Sequence, residues 1–292
     1  MFTGVYTPIV TPFDQNEALD LDKMKHNMEL WSQSELDGLL VLGSNGEFPY
    51  ISKEEKIQLT EFVKKNWSSD RKLLAGTGCH STAETIELTK DIAAIGVDGV
   101  LVLPSFYYKG GMTDEVLFAH FQQVADQSPV PVLLYNMPAN TGINLSSSLV
   151  SKLSKHENIV GIKDSSGNIV QISEIVRSSA KGFSVLAGSA GFMLPSLAVG
   201  ASGVIAALGN IMPERCCNLY KLFKEKKLDE ATALQLELLE INFTVTAGMG
   251  VPALKAAMDM LGFEGGYVRK PLRQLTEEKR AVLKDVIQRC GK

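Results

Sequence analysis

Residues 159–167 read IVGIKDSSG, so that Lys163 closes what reads as a buried strand. Burying an ammonium group is costly unless it is paired, and the usual relief is loss of the proton, which leaves a nucleophilic amine able to attack a carbonyl. For an isolated lysine, snorkelling to water is the commoner outcome. Lys163 therefore gains meaning only from its companions. Those are Tyr135, in PVLLYNMP at 131–138, and the turn GSNGE at 43–47, each at the end of a similar apolar run. The hydroxyl, amide and main-chain N–H groups of such a turn suit a carboxylate, although an ordinary strand-to-helix turn looks the same. A strand-end phenol can shuttle protons, or it can be plain core with its hydroxyl satisfied. Together the three describe one reaction. An amine condenses with a 2-oxo acid, the resulting iminium withdraws electrons from the adjacent carbon, and a C–C bond there can form or break. Such chemistry uses neither a metal nor an organic cofactor, and none is expected.

The elements that must position these groups follow from periodicity. Eight short apolar runs recur: GVYTPIVTPF at 4, GLLVLGS at 38, KLLAGTG at 72, GVLVLP at 99, PVLLYNMP at 131, IVGIKDS at 159, FSVLAGS at 183 and GVIAAL at 203. Runs that are apolar throughout signal strands covered on both faces, as in a parallel sheet. Helical patterns lie between them, several opened by a Ser or Thr cap, and Ser52 with Glu55 forms a capping box. Strand then helix, eight times over, predicts an α/β fold of the (β/α)8 barrel type. An open doubly wound sheet is the alternative, but a glycine-rich phosphate loop after the first strand is missing. Residues 1–227 are assigned to the catalytic barrel. After them the strand signals stop, and 228–292 reads as a C-terminal helical extension with helices near 228–247, 251–262 and 276–290. In a barrel of this kind, function collects at the C-terminal ends of the strands, where Lys163, Tyr135 and the 43–47 turn all fall.

Composition narrows the class further. A net charge of −4 with no Lys/Arg-rich block lacks the electrostatic footprint of a nucleic-acid or acidic-membrane binder. The four cysteines, at 79, 216, 217 and 290, are too few and too irregular for a disulfide framework or a zinc set, and they fit a reducing compartment. His26, His80, His120 and His156 are scattered singly, without metal-ligand spacing. Residues 182–213 carry no charge, but the glycines and proline within them divide the stretch into strand, helix and strand, which predicts core and no membrane span. The N-terminus enters a strand pattern at once without the regions of a signal peptide. A cytoplasmic enzyme is expected, or one of the mitochondrial matrix if a presequence has been removed.

The chain resembles the dihydrodipicolinate synthase and N-acetylneuraminate lyase superfamily of Schiff-base class I aldolases. The resemblance spans nearly its whole length and rests on GSNGE (43–47), LLYNMPANTG (133–142), IVGIKDSSG (159–167) and VLAGSAGF (185–192). It implies that Lys163 forms the Schiff base, that Tyr135 is the acid/base phenol and that Ser44 is the hydroxyl of the proton relay. Tyr107, in PSFYYKGG, resembles the tyrosine that this family lends to a neighbouring subunit's site, which implies a homotetramer built as a dimer of dimers. Within the superfamily, GSNGEFP, PANTG, SFYYKGGM and GVPALKAAMDMLGFEGG look closest to the 4-hydroxy-2-oxoglutarate aldolases. The synthases typically carry an arginine where this chain has Asn140, and losing it removes the natural fork for an aldehyde's carboxylate. The expected activity is reversible cleavage of 4-hydroxy-2-oxoglutarate to pyruvate and glyoxylate, with Ser44, Asn45, Ser165 and Gly188 lining the carboxylate pocket. The alternatives are dihydrodipicolinate synthase, another pyruvate-dependent sugar-acid lyase, and a barrel that only senses a 2-oxo acid. Glu47 and Asp164 are expected to cap or orient rather than to react.

Overall fold

The computed structural model describes residues 1–290. Eight parallel strands close into a barrel in chain order: β1 Gly4–Pro8, β2 Gly38–Val41, β3 Lys72–Gly76, β4 Gly99–Val102, β5 Val132–Asn136, β6 Ile159–Asp164, β7 Ser184–Ala187 and β8 Gly203–Ile205. All eight expected runs are strands. Each strand is shorter than its run, the first by the most: β1 stops at Pro8, and beyond it the Val10 N–H donates to the Asn210 side chain (3.2 Å) instead of to a strand.

The strands are buried on both faces because side chains alternate between two cores. Tyr6, Leu40, Leu74, Leu101, Leu133, Leu186 and Ile205 fill the barrel interior. Val5, Leu39, Leu73, Val100, Leu134 and Ile162 face the surrounding helices. Those helices are α1 Leu21–Ser32, α2 Lys53–Asn66, α3 Thr82–Ala94, α4 Asp114–Gln127, the single turn α5 Pro138–Thr141, α6 Ser147–Leu153, α7 Ile169–Ser178, α8 Met193–Ala198 and α9 Pro213–Lys224. Side-chain caps set where several begin: Asp20, Ser52, Ser81, Thr113, Ser146 and Asn168 each accept from a main-chain N–H in the first turn. The Ser52–Glu55 capping box is present. The uncharged stretch 182–213 holds β7, α8 and β8, and among the described residues no helix is long and apolar enough to cross a membrane.

The C-terminal helices are α10 Leu228–Phe243, α11 Gly250–Met260 and α12 Glu277–Cys290, with a π-helical turn at Thr244–Gly248 between the first two. They pack on the barrel through specific bonds. Gln235 of α10, for example, accepts from the Leu194 N–H and donates to the Ala190 carbonyl, both at 2.9 Å. This brings 244–251 over the C-terminal ends of the strands, a placement the sequence pattern did not reveal.

Candidate active site

Register places the groups expected to react. β5 and β6 pair so that Tyr135 lies opposite Lys163 and Asn136 opposite Asp164. By strand alternation the first pair points into the barrel and the second into the helix layer. The Lys163 amine stands 4.4 Å from the centre of the Tyr135 ring, and both side chains are buried, Lys163 to 3% exposure. Lys163 makes no ion pair among the described residues. The Tyr135 hydroxyl lies 3.4 Å from Ser44 Oγ, which arrives from the other side of the barrel on the turn after β2. Burial alone would push the phenol up. The Lys163 ammonium and hydrogen bonds with Ser44, Ser165 and Lys163 outweigh it and hold Tyr135 below its ordinary value. That phenol can give or take a proton.

Behind this pair the strand ends are braced. Asn136 donates to Asp164 (2.8 Å), whose other oxygen accepts from the Ser166 N–H (2.8 Å) and hydroxyl, while Gln171 of α7 also donates to Asp164 (3.3 Å). Asp164 is fully buried and spent on these bonds. It sets the spacing of β5 and β6, and with it the spacing of Tyr135 and Lys163.

Lys163 and Tyr135 open into a cleft of about 510 Å³ that also exposes Ser44, Asn45, Ser165 and Gly188. Gly188 is required there: a Cβ at that position would meet Ser165 Oγ at 1.9 Å. Six of the seven expected residues thus converge in one chain. Tyr107 does not: it lies on the loop after β4, 73% exposed, with its ring against Tyr108 and His80. It stands outside the cleft of its own chain, so a catalytic role requires a second copy.

Of the remaining wall, Asn140 was singled out in the sequence as the position of the synthases' arginine, whereas the C-terminal part was not read from the sequence. Met137, Ala139 and Asn140 come from the α5 turn, and Val245, Thr246, Ala247, Gly250 and Val251 come from the C-terminal segment. A π-helical turn at 244–248 was the available structural sign, since such turns gather at functional sites, but nothing in the local sequence announces one. Lys163 is the only cation among the lining residues. No cluster of three or more His, Cys, Asp or Glu able to hold a metal exists among the described residues.

The 43–47 turn is itself clamped. Glu47 has φ +57°, a left-handed conformation that a non-glycine residue adopts at a cost. Its carboxylate lies 2.6 Å from the amine of Lys255 on α11 and accepts from the Arg269 N–H (2.9 Å). Lys255 also donates to the Thr11 (2.7 Å) and Tyr267 carbonyls and is 1% exposed. Burial pulls this amine down to about 8, against the opposing pull of Glu47.

Comparison with known proteins places this geometry. Residues 1–290 match the family model described as the dihydrodipicolinate synthetase family. The chain is 35% identical to a 4-hydroxy-tetrahydrodipicolinate synthase of Oceanobacillus iheyensis, over 98% of this chain and 96% of that one. It is 37% identical to a probable mitochondrial 4-hydroxy-2-oxoglutarate aldolase of Emericella nidulans, over 97% of this chain and 93% of that one. Among solved structures, it superposes with a TM-score of 0.94 at 30% identity on YagE of E. coli K12, a prophage protein of the dihydrodipicolinic acid synthase family in complex with pyruvate, covering 100% and 99% of the two chains.

Proposed function

The chain belongs to the dihydrodipicolinate synthetase family and is a Schiff-base-forming carbon–carbon lyase; on that premise we propose that it cleaves 4-hydroxy-2-oxoglutarate reversibly to pyruvate and glyoxylate. Lys163 carries this reading: a buried lysine with no carboxylate partner, beside a phenol of lowered pKa, at the floor of a cleft. Its amine attacks C2, and loss of water gives the iminium. Tyr135, passing the proton through Ser44, takes the C4 hydroxyl proton as the C3–C4 bond breaks. Glyoxylate leaves, the enamine is protonated at C3, and water hydrolyses the iminium to release pyruvate and the free amine. Ser44, Asn45, Ser165 and Gly188 are assigned to the substrate's carboxylates.

Asn140 favours this substrate over aspartate semialdehyde. Where the synthases typically hold an arginine, this cleft offers an amide. The synthase remains the second reading because relatives such as that of O. iheyensis carry that name. Turnover of 4-hydroxy-2-oxoglutarate with pyruvate and glyoxylate appearing in equal amounts, and negligible condensation of pyruvate with aspartate semialdehyde, is the expected result. The reverse pattern assigns the synthase. Borohydride reduction with pyruvate should leave an adduct on Lys163, and its absence would favour a sensor.

The exposed Tyr107 is assigned to the site of a second copy, within a homotetramer. Mixed oligomers of inactive Lys163→Ala and Tyr107→Phe chains should then regain activity on mixing, and failure to do so overturns the sharing. All four thiols are free, which fits a cytoplasmic setting, testable by cell fractionation.

A further inference from the structure

Beside the catalytic cleft lies a second cavity of about 250 Å³, lined by Phe48, Pro49, Leu103, Phe106 and Leu272 among others. It adjoins the cleft: Ser44, Met137, Asn140 and Val251 line both. Two of its polar wall residues are fixed by internal bonds, and Ser44, Tyr50 and Asn140 offer only neutral hydroxyl and amide groups. Glu47 is bound to Lys255 and the Arg269 N–H, and the single proton of the Thr141 hydroxyl is shared between the Met137 and Ile143 carbonyls. No lysine, arginine or histidine lines the chamber among the described residues.

A carboxylate pushed into such a chamber would lose its hydration with no cation to replace it. An apolar group would exchange water for Phe48, Leu103, Phe106 and Leu272, which is how small-molecule pockets gain most of their affinity. Glyoxylate, whose carboxylate sits directly on the reacting carbon, leaves this chamber unfilled. We infer that the cavity is a subsite for the carbonyl partner's tail, and that the enzyme therefore also joins pyruvate to aldehydes bearing an uncharged aryl or branched alkyl group. This rests on the Schiff-base reading of Lys163 and extends it to a second class of partner.

The chemistry is redox-neutral and balanced. Lys163 condenses with pyruvate, releasing one water, and transfer of a C3 proton to Tyr135 gives the enamine. Its C3 forms the new bond to the aldehyde carbon while the aldehyde oxygen takes a proton from Tyr135. Hydrolysis consumes one water, returns the amine and releases a 4-substituted 4-hydroxy-2-oxobutanoate.

The purified full-length protein would be assayed for condensation of pyruvate with benzaldehyde, 3-methylbutanal and glyoxylate. It would be compared with Leu272→Arg and Phe106→Ala, two residues that line the chamber and not the cleft. The expected result is turnover of both apolar aldehydes, with kcat/KM for them falling about tenfold or more in either variant while the glyoxylate value stays within about twofold. Turnover of glyoxylate alone overturns the subsite. So does turnover of benzaldehyde that neither variant changes. If no aldehyde reacts and borohydride traps no pyruvate on Lys163, the Schiff-base reading fails and the subsite with it; a trapped adduct with idle apolar aldehydes rejects the subsite alone.

Discussion

Two lysines among the described residues are buried almost completely, and their surroundings are opposite. Lys255 is surrounded by acceptors: the Glu47 carboxylate at 2.6 Å and the carbonyls of Thr11 and Tyr267. Lys163 has a phenol ring, two serine hydroxyls nearby and an open cleft, but no carboxylate. The first arrangement spends every proton of an ammonium on a fixed partner and leaves no room for a reactant. The second leaves the nitrogen reachable, with a proton acceptor beside it. Burial alone therefore does not mark a nucleophile; the partners and the access to a cavity do.

The sharpest way to break this comparison is to exchange the fates of the two amines. Lys163→Ala should lower turnover by about 10³-fold or more and abolish the pyruvate adduct, whereas mass spectrometry of borohydride-trapped wild type should find no label on Lys255. Labelled Lys255 would undo the distinction. Next in size, Tyr135→Phe should lower kcat by about 10²–10⁴-fold while the pyruvate adduct on Lys163 still forms, because the phenol is needed for the proton and not for condensation. Loss of trapping together with rate would assign Tyr135 to holding Lys163 instead.

Lys255→Met tests the structural side. It leaves Glu47 buried and uncompensated, and urea unfolding should show a loss of about 3–5 kcal/mol. The double variant Glu47→Gln with Lys255→Met should recover much of that, since the two effects are not additive. A single variant as stable as wild type would show that the clamp is idle. The smallest effect is in pH. Lys255 titrates near 8 in the folded protein against an ordinary 10.5, so between those values the native state binds fewer protons than the unfolded chain. Stability from this group is lowest below about pH 8 and rises toward pH 10.5, with a slope on the order of 1 kcal/mol per pH unit. Urea midpoints at pH 7.5 and 9.5 should show this rise relative to the double variant, and identical slopes would reject it.

The barrel was legible because each strand is a short, largely apolar run bounded by turn signals, a local property. The gathering of Lys163, Tyr135 and Ser44 at one end of the barrel was legible because each closes such a run. Val245, Thr246 and Val251 were not: they reach the cleft only through the packing of α10 and α11, and no spacing in the sequence encodes that. Lys255 stood within reach of the same reasoning. It interrupts the apolar helix VPALKAAMDM much as Lys163 interrupts IVGIKDSSG, and asking what neutralises it points to a buried carboxylate. Which one, among 33 acidic residues, only the fold could say. Tyr107 remained a matter of assembly, since nothing within one chain brings it to a cleft.

The clamp on the 43–47 turn also orders events in time. Glu47 leaves the ribosome early, yet the main-chain donor at Arg269 lies 222 residues further on, and Lys255 is nearly as distant. At about 5–20 residues per second, that separation is on the order of ten to forty seconds of synthesis. Until it has passed, the turn that carries Ser44 has a carboxylate that cannot be buried without its cation. A chain ended before Lys255 would carry Lys163, Tyr135 and Ser44 and still lack the partners of Glu47, so closure of this turn depends on residues synthesised late.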